Sequence, residues 1–302
     1  MRLLQLLISS FLLVFFAFHL KASPSDDNLE FVGTIQLSDK SLITYKISFV
    51  ENEDGTLTGK SITDFAGDHR TESRIKGRIN RDKNLISFSE LENTYTKSDS
   101  DAQDFCYIHL HNAKLKLGKK KSIIQGHFYS RYADGSLCIE GDIYLMGEKQ
   151  FLRRIEKVEK TKDRAQKLVA KENIDKVQQQ LDNTKVAVDQ TLLSEEESMT
   201  LRTKGNEITI KVWDAEYIDG DMISIRKETD YLLRRYSIKR VPKEMVLAMD
   251  QDSVRLTFIA NNEGKRPPNS ANIEIVTSEG GVPFKLQLNK DKAAEILILK
   301  DR

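Results

Sequence analysis

Three stretches of the chain share one five-residue pattern, apolar-x-Gly-x-apolar: Ile75-Lys76-Gly77-Arg78-Ile79, Ile124-Gln125-Gly126-His127-Phe128 and Ile139-Glu140-Gly141-Asp142-Ile143. Leu57-Thr58-Gly59 begins a fourth copy and then departs from it. In a strand, residues i, i+2 and i+4 share a face, so each glycine falls in the middle of an apolar face. A glycine there gives up packing, but it lets the strand bend sharply or lets another backbone approach closely. Repeated on several strands, the pattern suits a sheet that curls until it closes on itself.

The surrounding sequence supplies the strands. Alternation of apolar and polar residues between turn signals gives eight: Leu29–Leu37, Leu42–Glu51, Thr56–Asp64, Ser73–Asn80, Asn84–Leu91, Phe105–Leu117, Ser122–Tyr132 and Leu137–Met146. Asp54-Gly55 and Asp134-Gly135 are tight-hairpin signals. Short connections between neighbours imply an up-and-down antiparallel meander. Eight such strands close into a barrel whose interior either fills with side chains or holds one small ligand. From Leu29 to Met146 the strand number and glycine placement resemble the calycin group of lipocalin-like and avidin-like barrels. The lipocalin Gly-x-Trp motif is absent, because the only tryptophan is Trp213. The resemblance therefore implies a barrel and carries over no ligand.

Residues 1–22 read as a secretory signal peptide. Arg2 supplies the positive start, and Leu3 to Leu20 is apolar apart from Gln5, Ser9, Ser10 and His19. Ala22 offers a small residue for cleavage; the alternative is an uncleaved anchor. The expected location is periplasmic or secreted. Lys+Arg 47 against Asp+Glu 46 becomes 45 against 46 once Arg2 and Lys21 are removed. A chain so close to neutral has no overall pull towards nucleic acid or an anionic membrane, so nucleic acid is not expected as a partner. Cys106 and Cys138 are the only cysteines. In an oxidising compartment an even count favours a disulfide between them, which would close the rim below the polar loop Asn93–Asp104.

The barrel stretch, 26–147, is followed by a charged helical section, 148–193, without glycine or proline from Glu148 to Asp189. Phe151, Ile155, Val158, Ala165 and Val169 form one apolar stripe, and Ile174, Val177, Leu181, Thr184 and Val188 another. The stripes slip by about two residues around Ala170 to Asn173. As one straight helix this section would reach about 60 Å. Its narrow seam suits a spacer, a docking arm or a helix-mediated homodimer. Within 194–302 the period returns to two. The expected strands are Met199–Thr203, Glu207–Trp213, Asp221–Arg226, Tyr231–Ile238, Glu244–Ala248, Ser253–Ala260, Ala271–Thr277, Val282–Leu288 and Glu295–Lys300, which suggest an antiparallel β-sandwich. Ser194-Glu195-Glu196-Glu197 reads as a capping box opening a short helical turn. The fold class expected is thus mainly β with a long helical connector: an eight-stranded barrel plus a sandwich.

Three separated pieces of the last section carry a second resemblance. They are Trp213-Asp214 with Asp219-Gly220-Asp221-Met222-Ile223-Ser224-Ile225, then Ala260-Asn261-Asn262-Glu263-Gly264, then Pro267-Pro268-Asn269-Ser270-Ala271. Together they resemble a β-module that recurs at the ends of exported proteins of Bacteroidetes-type bacteria. The resemblance implies export and modularity and no particular activity.

Chemistry is sparse. Asp214, Glu216, Asp219 and Asp221 crowd one strand-to-strand turn, and carboxylates that close repel unless a cation or amide groups neutralise them. Asp214, Asp219 and Asp221 are therefore a calcium candidate, with an exposed Asp-Gly-Asp turn the alternative. His109, His111 and His127 are read as surface or rim residues, with a zinc set the alternative. Asp99, Asp101 and Asp104 lie in a solvated loop, and Lys114, Lys116, Lys119, Lys120 and Lys121 make a basic hairpin tip. No nucleophile motif, phosphate loop or acid–base pair stands out. The expected function is a non-catalytic exported binding or scaffolding protein of the cell envelope, with a protein or envelope component as partner. A carrier of a small apolar ligand in the barrel and an unrecognised hydrolase are the alternatives. No cofactor is expected beyond possible calcium.

Overall fold

The structure is a computed structural model and describes residues 29–99, 102–118, 121–165, 185, 187–188, 190–214 and 218–301. Residues 1–22, read above as a signal peptide, and Asp101, Lys119, Lys120 and Glu216 lie outside these residues. The chain is mainly β. Eight strands come first: β1 (Leu29–Leu37), β2 (Leu42–Glu51), β3 (Thr56–Thr63), β4 (Thr71–Asn80), β5 (Leu85–Thr96), β6 (Tyr107–Lys116), β7 (Ile123–Arg131) and β8 (Leu137–Gly147). Each pairs antiparallel with the next, and β8 returns to β1 with Phe31 opposite Gly147 and Leu37 opposite Gly141. The expected closed up-and-down barrel is therefore present. Asp54 and Asp134 stabilise their hairpins by accepting hydrogen bonds from the backbone and hydroxyl of Thr56 and Ser136, while Gly55 and Gly135 adopt positive φ.

Inward-facing positions two residues apart fill the barrel. Tyr45, Ile47 and Phe49 on β2, and Phe88, Phe128, Ile143 and Leu145 on other strands, are all at most 2% exposed. Each such side chain contributes about 1.5–3 kcal/mol by leaving water. The repeated glycines sit where neighbouring backbone crosses closely. A side-chain carbon on Gly77 would overlap the Ser87 carbonyl and lie 2.7 Å from Phe88 Cα. One on Gly126 would lie 2.7 Å from Ala113 Cβ, beside a bulge at Asn112, whose φ is +50°.

The helix α1 (Glu148–Ala165) follows β8 directly. Phe151 and Leu152 pack on Val32 and Phe65 of the outer barrel wall, together with Ala187 and Val188. Ile155 is buried as well, whereas Val158 is 51% exposed, so the stripe docks only over the first turns. Eighteen residues of helix span about 27 Å. The slip at Ala170–Asn173 and the stripe Ile174, Val177, Leu181, Thr184 lie outside the described residues.

A long helical connector holding two units apart is not what joins them. β9 (Thr191–Ser194) and β10 (Ser198–Thr203) follow, then β11 (Glu207–Trp213), β12 (Met222–Lys227), β13 (Asp230–Ser237), β14 (Lys243–Ala248), β15 (Ser253–Ala260), β16 (Asn269–Thr277), β17 (Gly280–Leu288) and β18 (Ala293–Lys300). They form two sheets sharing one apolar core, ordered β13-β12-β15-β18-β10 and β14-β11-β16-β17-β9. The first is continuous with the barrel, because β10 pairs with the end of β5 through Thr200–Thr96 and Leu201–Tyr95. Tyr95 belongs to the core of the second unit although it stands on a barrel strand.

The antiparallel expectation needs two further corrections. β10–β18 and β9–β17 are parallel pairs between strands far apart in sequence, which no hairpin signal marks. Thr191, Leu192 and Leu193, placed at the end of the helical section by composition, belong to a sheet strand, Thr191–Ser194. The capping-box contact does form, with the Ser194 N–H donating to Glu197 Oε2 at 2.7 Å, but it closes a turn between β9 and β10 rather than opening a helix. No helix among the described residues is long and apolar enough to cross a membrane.

Candidate functional site

The three motif pieces meet at one end of the second unit. The first lies in the β11–β12 turn and on β12, the second in the β15–β16 turn, the third at the start of β16. Asparagines stitch them together. Met222 N–H donates to Asn262 Oδ1 at 2.7 Å, Asn262 Nδ2 to the Gly220 carbonyl at 2.8 Å, and Asn269 Nδ2 to the carbonyls of Asn262 and Met222 at 2.8 and 3.0 Å. Ser224 Oγ donates to Asn261 Oδ1 at 2.7 Å. A cis peptide bond joins Pro267 to Pro268.

The carboxylates are built into this junction. Asp219 Oδ2 accepts the backbone N–H of Lys265 at 3.0 Å and of Arg266 at 2.7 Å, and Asp221 Oδ2 accepts that of Ser270 at 2.9 Å. Their other oxygens, Asp219 Oδ1 and Asp221 Oδ1, are buried and have no hydrogen-bond partner among the described residues. Both face one space beside Gly264, where a side-chain carbon would overlap Asp219 Oδ1 and lie 2.7 Å from Asp221 Oδ1. Burial pushes the Asp221 carboxyl up to about 6; the Ser270 N–H opposes this, and the charges of Asp219, Asp214 and Glu263 add to it. Asp214, Asp219 and Asp221 are all buried, so the exposed-turn alternative does not hold. Among the described residues no three acidic, histidine or cysteine side chains gather as a metal-binding set. Asp219 and Asp221 are the pair whose free oxygens converge.

A second concentration of buried polar groups lies inside the barrel and along its seam with the second unit. Glu90 is buried and accepts hydrogen bonds from Tyr45 Oη at 2.7 Å, Ser61 Oγ at 2.6 Å and Ile108 N–H at 2.8 Å. Burial raises its carboxyl above the ordinary range against the pull of those three donors. Burial, and then the Glu90 charge, push the Tyr45 hydroxyl well above its usual value. Three barrel cations reach outward to hold the connecting chain. Arg70 donates to Tyr95 Oη and to the carbonyls of Phe65 and Ala187 at 2.7–2.8 Å. Lys46 binds the Val188 carbonyl at 2.9 Å and Glu148 at 2.6 Å. Lys97 binds the Leu192 carbonyl at 3.1 Å and Glu197 at 2.7 Å.

Beside this seam is a cavity of about 320 Å³. Asn93, Thr96 and Phe105 wall it from the barrel side, and Ser198, Thr200, Arg202 and Leu297 from the second unit. Its arginines are ion-paired at the rim, Arg202 with Asp301 at 2.9 Å and Arg255 with Glu295 at 2.7 Å. A cavity of about 220 Å³ also spans the seam, between Arg70 and Glu72 and Trp213 and Phe284.

Cys106 and Cys138 are bonded, with their Cα atoms 6.0 Å apart, as the rim placement implied. The loop they anchor is shorter than Asn93–Asp104, because β5 runs on to Thr96 and a 3₁₀ turn covers Ala102–Asp104. The histidines all lie outside the barrel wall. His109 hydrogen-bonds Ser89 at 2.8 Å and stacks on Tyr129; burial, and then Arg131, lower its basicity. His111 contacts Asn112. His127 sits between Asp142 at 3.2 Å and Glu140 at 3.7 Å, a carboxylate pairing the repeat did not suggest. They form no three-imidazole set.

Sequence reasoning missed the Glu90–Tyr45–Ser61 network and the cation clamps. Inward-facing polar residues at Ser61, Ser73 and Glu90, which interrupt otherwise apolar faces, are the signal that could have located the network. Comparison of the chain with protein-family models, with curated proteins and with solved structures finds no match.

Proposed function

We propose that the protein is a non-catalytic exported binding or scaffolding protein of the cell envelope, which takes its partner at the junction of its two β-units. The observation that carries this reading is the cavity walled by both units beside the β5–β10 pairing. A site built from two modules joined by a shared sheet is held rigidly, so little ordering cost opposes binding. The barrel interior, by contrast, is occupied by its own Phe, Tyr and Ile side chains, which disfavours the carrier alternative. The strongly buried ionisable groups at the seam are committed to structural hydrogen bonds, which disfavours hydrolysis. The disulfide is compatible with an oxidising compartment outside the cytoplasm.

A photo-crosslinking residue at Ser198, which lines the cavity, compared with one at the exposed Val246 on the opposite sheet, tests the placement. The expected result is a partner from envelope extract captured at 198 and not at 246. Equal capture at both positions, or none at 198, would remove the junction as the binding site.

A further inference from the structure

We infer that the Asp219–Asp221 turn is a calcium site, in which the Oδ1 atoms of both aspartates coordinate the ion beside Gly264 and the ion locks the β11–β12 turn to the β15–β16 turn. The inference is independent of the junction cavity.

Geometry carries it. Asp221 is only 3% exposed and Asp219 9% exposed, yet each leaves one oxygen without a hydrogen-bond partner among the described residues. A buried anionic oxygen without a partner is costly. Here two of them face the same space. Their orientation is fixed, because in each carboxylate the other oxygen is held by backbone N–H groups of the opposite turn or of β16. Supporting hydrogen bonds of this kind are how proteins aim metal ligands. A residue other than glycine at position 264 would put carbon into the space the two oxygens face. The surrounding charge has the right sign, since Asp214 and Glu263 add negative potential at Asp221.

Calcium is favoured over other cations by the donors and by the frame. All the donors are oxygen, which suits a hard cation and not zinc. Both come from one irregular turn, and water or carbonyl oxygens would complete the shell. Calcium accepts six to eight oxygens in irregular geometry, whereas magnesium demands a near-ideal octahedron. The structural alternative is a proton shared between the two carboxyls. It would hold the same pair together but would respond to acid and not to calcium.

The test is thermal unfolding of the full chain after EDTA treatment and desalting, at pH 7.5, with calcium chloride, magnesium chloride or neither. The expected result is a rise in Tm of about 5 °C at saturating calcium, with a much smaller rise for magnesium. Asp219→Asn and Asp221→Asn should lose the calcium response, and in EDTA they should be at least as stable as wild type because the repulsion is gone. If neither variant folds, equilibrium dialysis of the wild-type chain decides, with one tightly held calcium per chain expected. No calcium-dependent shift and no retained calcium in the wild type would overturn the inference, as would stabilisation by acid alone.

Discussion

The barrel and the second β-unit both bury carboxylates, and they treat them differently. In the barrel, Glu90 faces inward and meets three donors from three separate strands, so its charge is answered from within the wall. In the second unit the interior is apolar, and the acids sit at the turns, where Asp219 and Asp221 are each only half satisfied. The ends of the units are fastened differently as well. Both cysteines belong to the barrel, whose rim is tied covalently. The second unit has hydrogen bonds between its turns in place of a bridge. A closed barrel can supply donors from all sides to a group at its centre, whereas a two-sheet stack leaves polar groups to its edges.

The largest test of this contrast is removal of the covalent tie. Cys106→Ser with Cys138→Ser opens a loop with a sequence separation of 32 and should destabilise the barrel by about 3.5 kcal/mol, read as a lower urea midpoint. A change confined to the second unit would break the assignment of the bridge to barrel stability.

Next in size is the seam. Arg70→Ala leaves the Phe65 and Ala187 carbonyls without their donor and should cost about 2–3 kcal/mol. If the units are one cooperative body through β5–β10, the wild type unfolds in one transition and the variant begins to show two. Two transitions already in the wild type would contradict the joined-sheet account.

The smallest effects concern pH, and their signs should oppose. Glu90 is raised above its ordinary 4.5 by burial. The unfolded chain therefore ionises first, and stability falls as pH rises through and above that value. Glu279 is pulled the other way. Burial acts against it, but hydrogen bonds from Ser278, the Lys204 N–H and Thr203 win and lower it to about 2. Its contribution is full above 4.5 and is lost as pH falls through about 2. Glu90→Gln should flatten the decline on the neutral side. Glu279→Gln should cost about 1 kcal/mol at pH 7, discounted for its partial exposure, and flatten the acid side. Denaturant midpoints measured across pH for both variants would show it, and slopes of the same sign would break the comparison.

Much of this was legible. Alternation and turn dipeptides located the eight barrel strands, with β1 and β2 matching to the residue and most other ends to within about two. The glycine repeat announced closure because its cause is local: a residue without a side chain marks a close backbone crossing. The acidic turn was legible for a related reason, since four like charges in eight residues ask for compensation. What stayed hidden was long-range. β5 continues past Leu91 across a register shift that moves the exposed and buried positions, so the apolar period is lost there. Leu91 is 54% exposed while Tyr95 is buried in the other unit, and nothing near either residue indicates β10, about a hundred positions on. The parallel pairs were invisible because their partners are neighbours only after everything between them has folded. The helical section reads as a spacer because its composition is strongly helical, and composition does not show that its start docks on the barrel.

β18 lies between β10 and β15, flanked on both sides, yet it is synthesised after every strand it touches. Until it arrives, the sheet has a gap at its centre, and β10 can lean only on the end of β5. The barrel, whose strands pair in the order they are made, can close long before that. A ribosome therefore delivers a first half able to close, attached to a second half that waits for one strand. In that interval the open edges of β10 and β15 are exposed to any chaperone, protease or stray strand within reach.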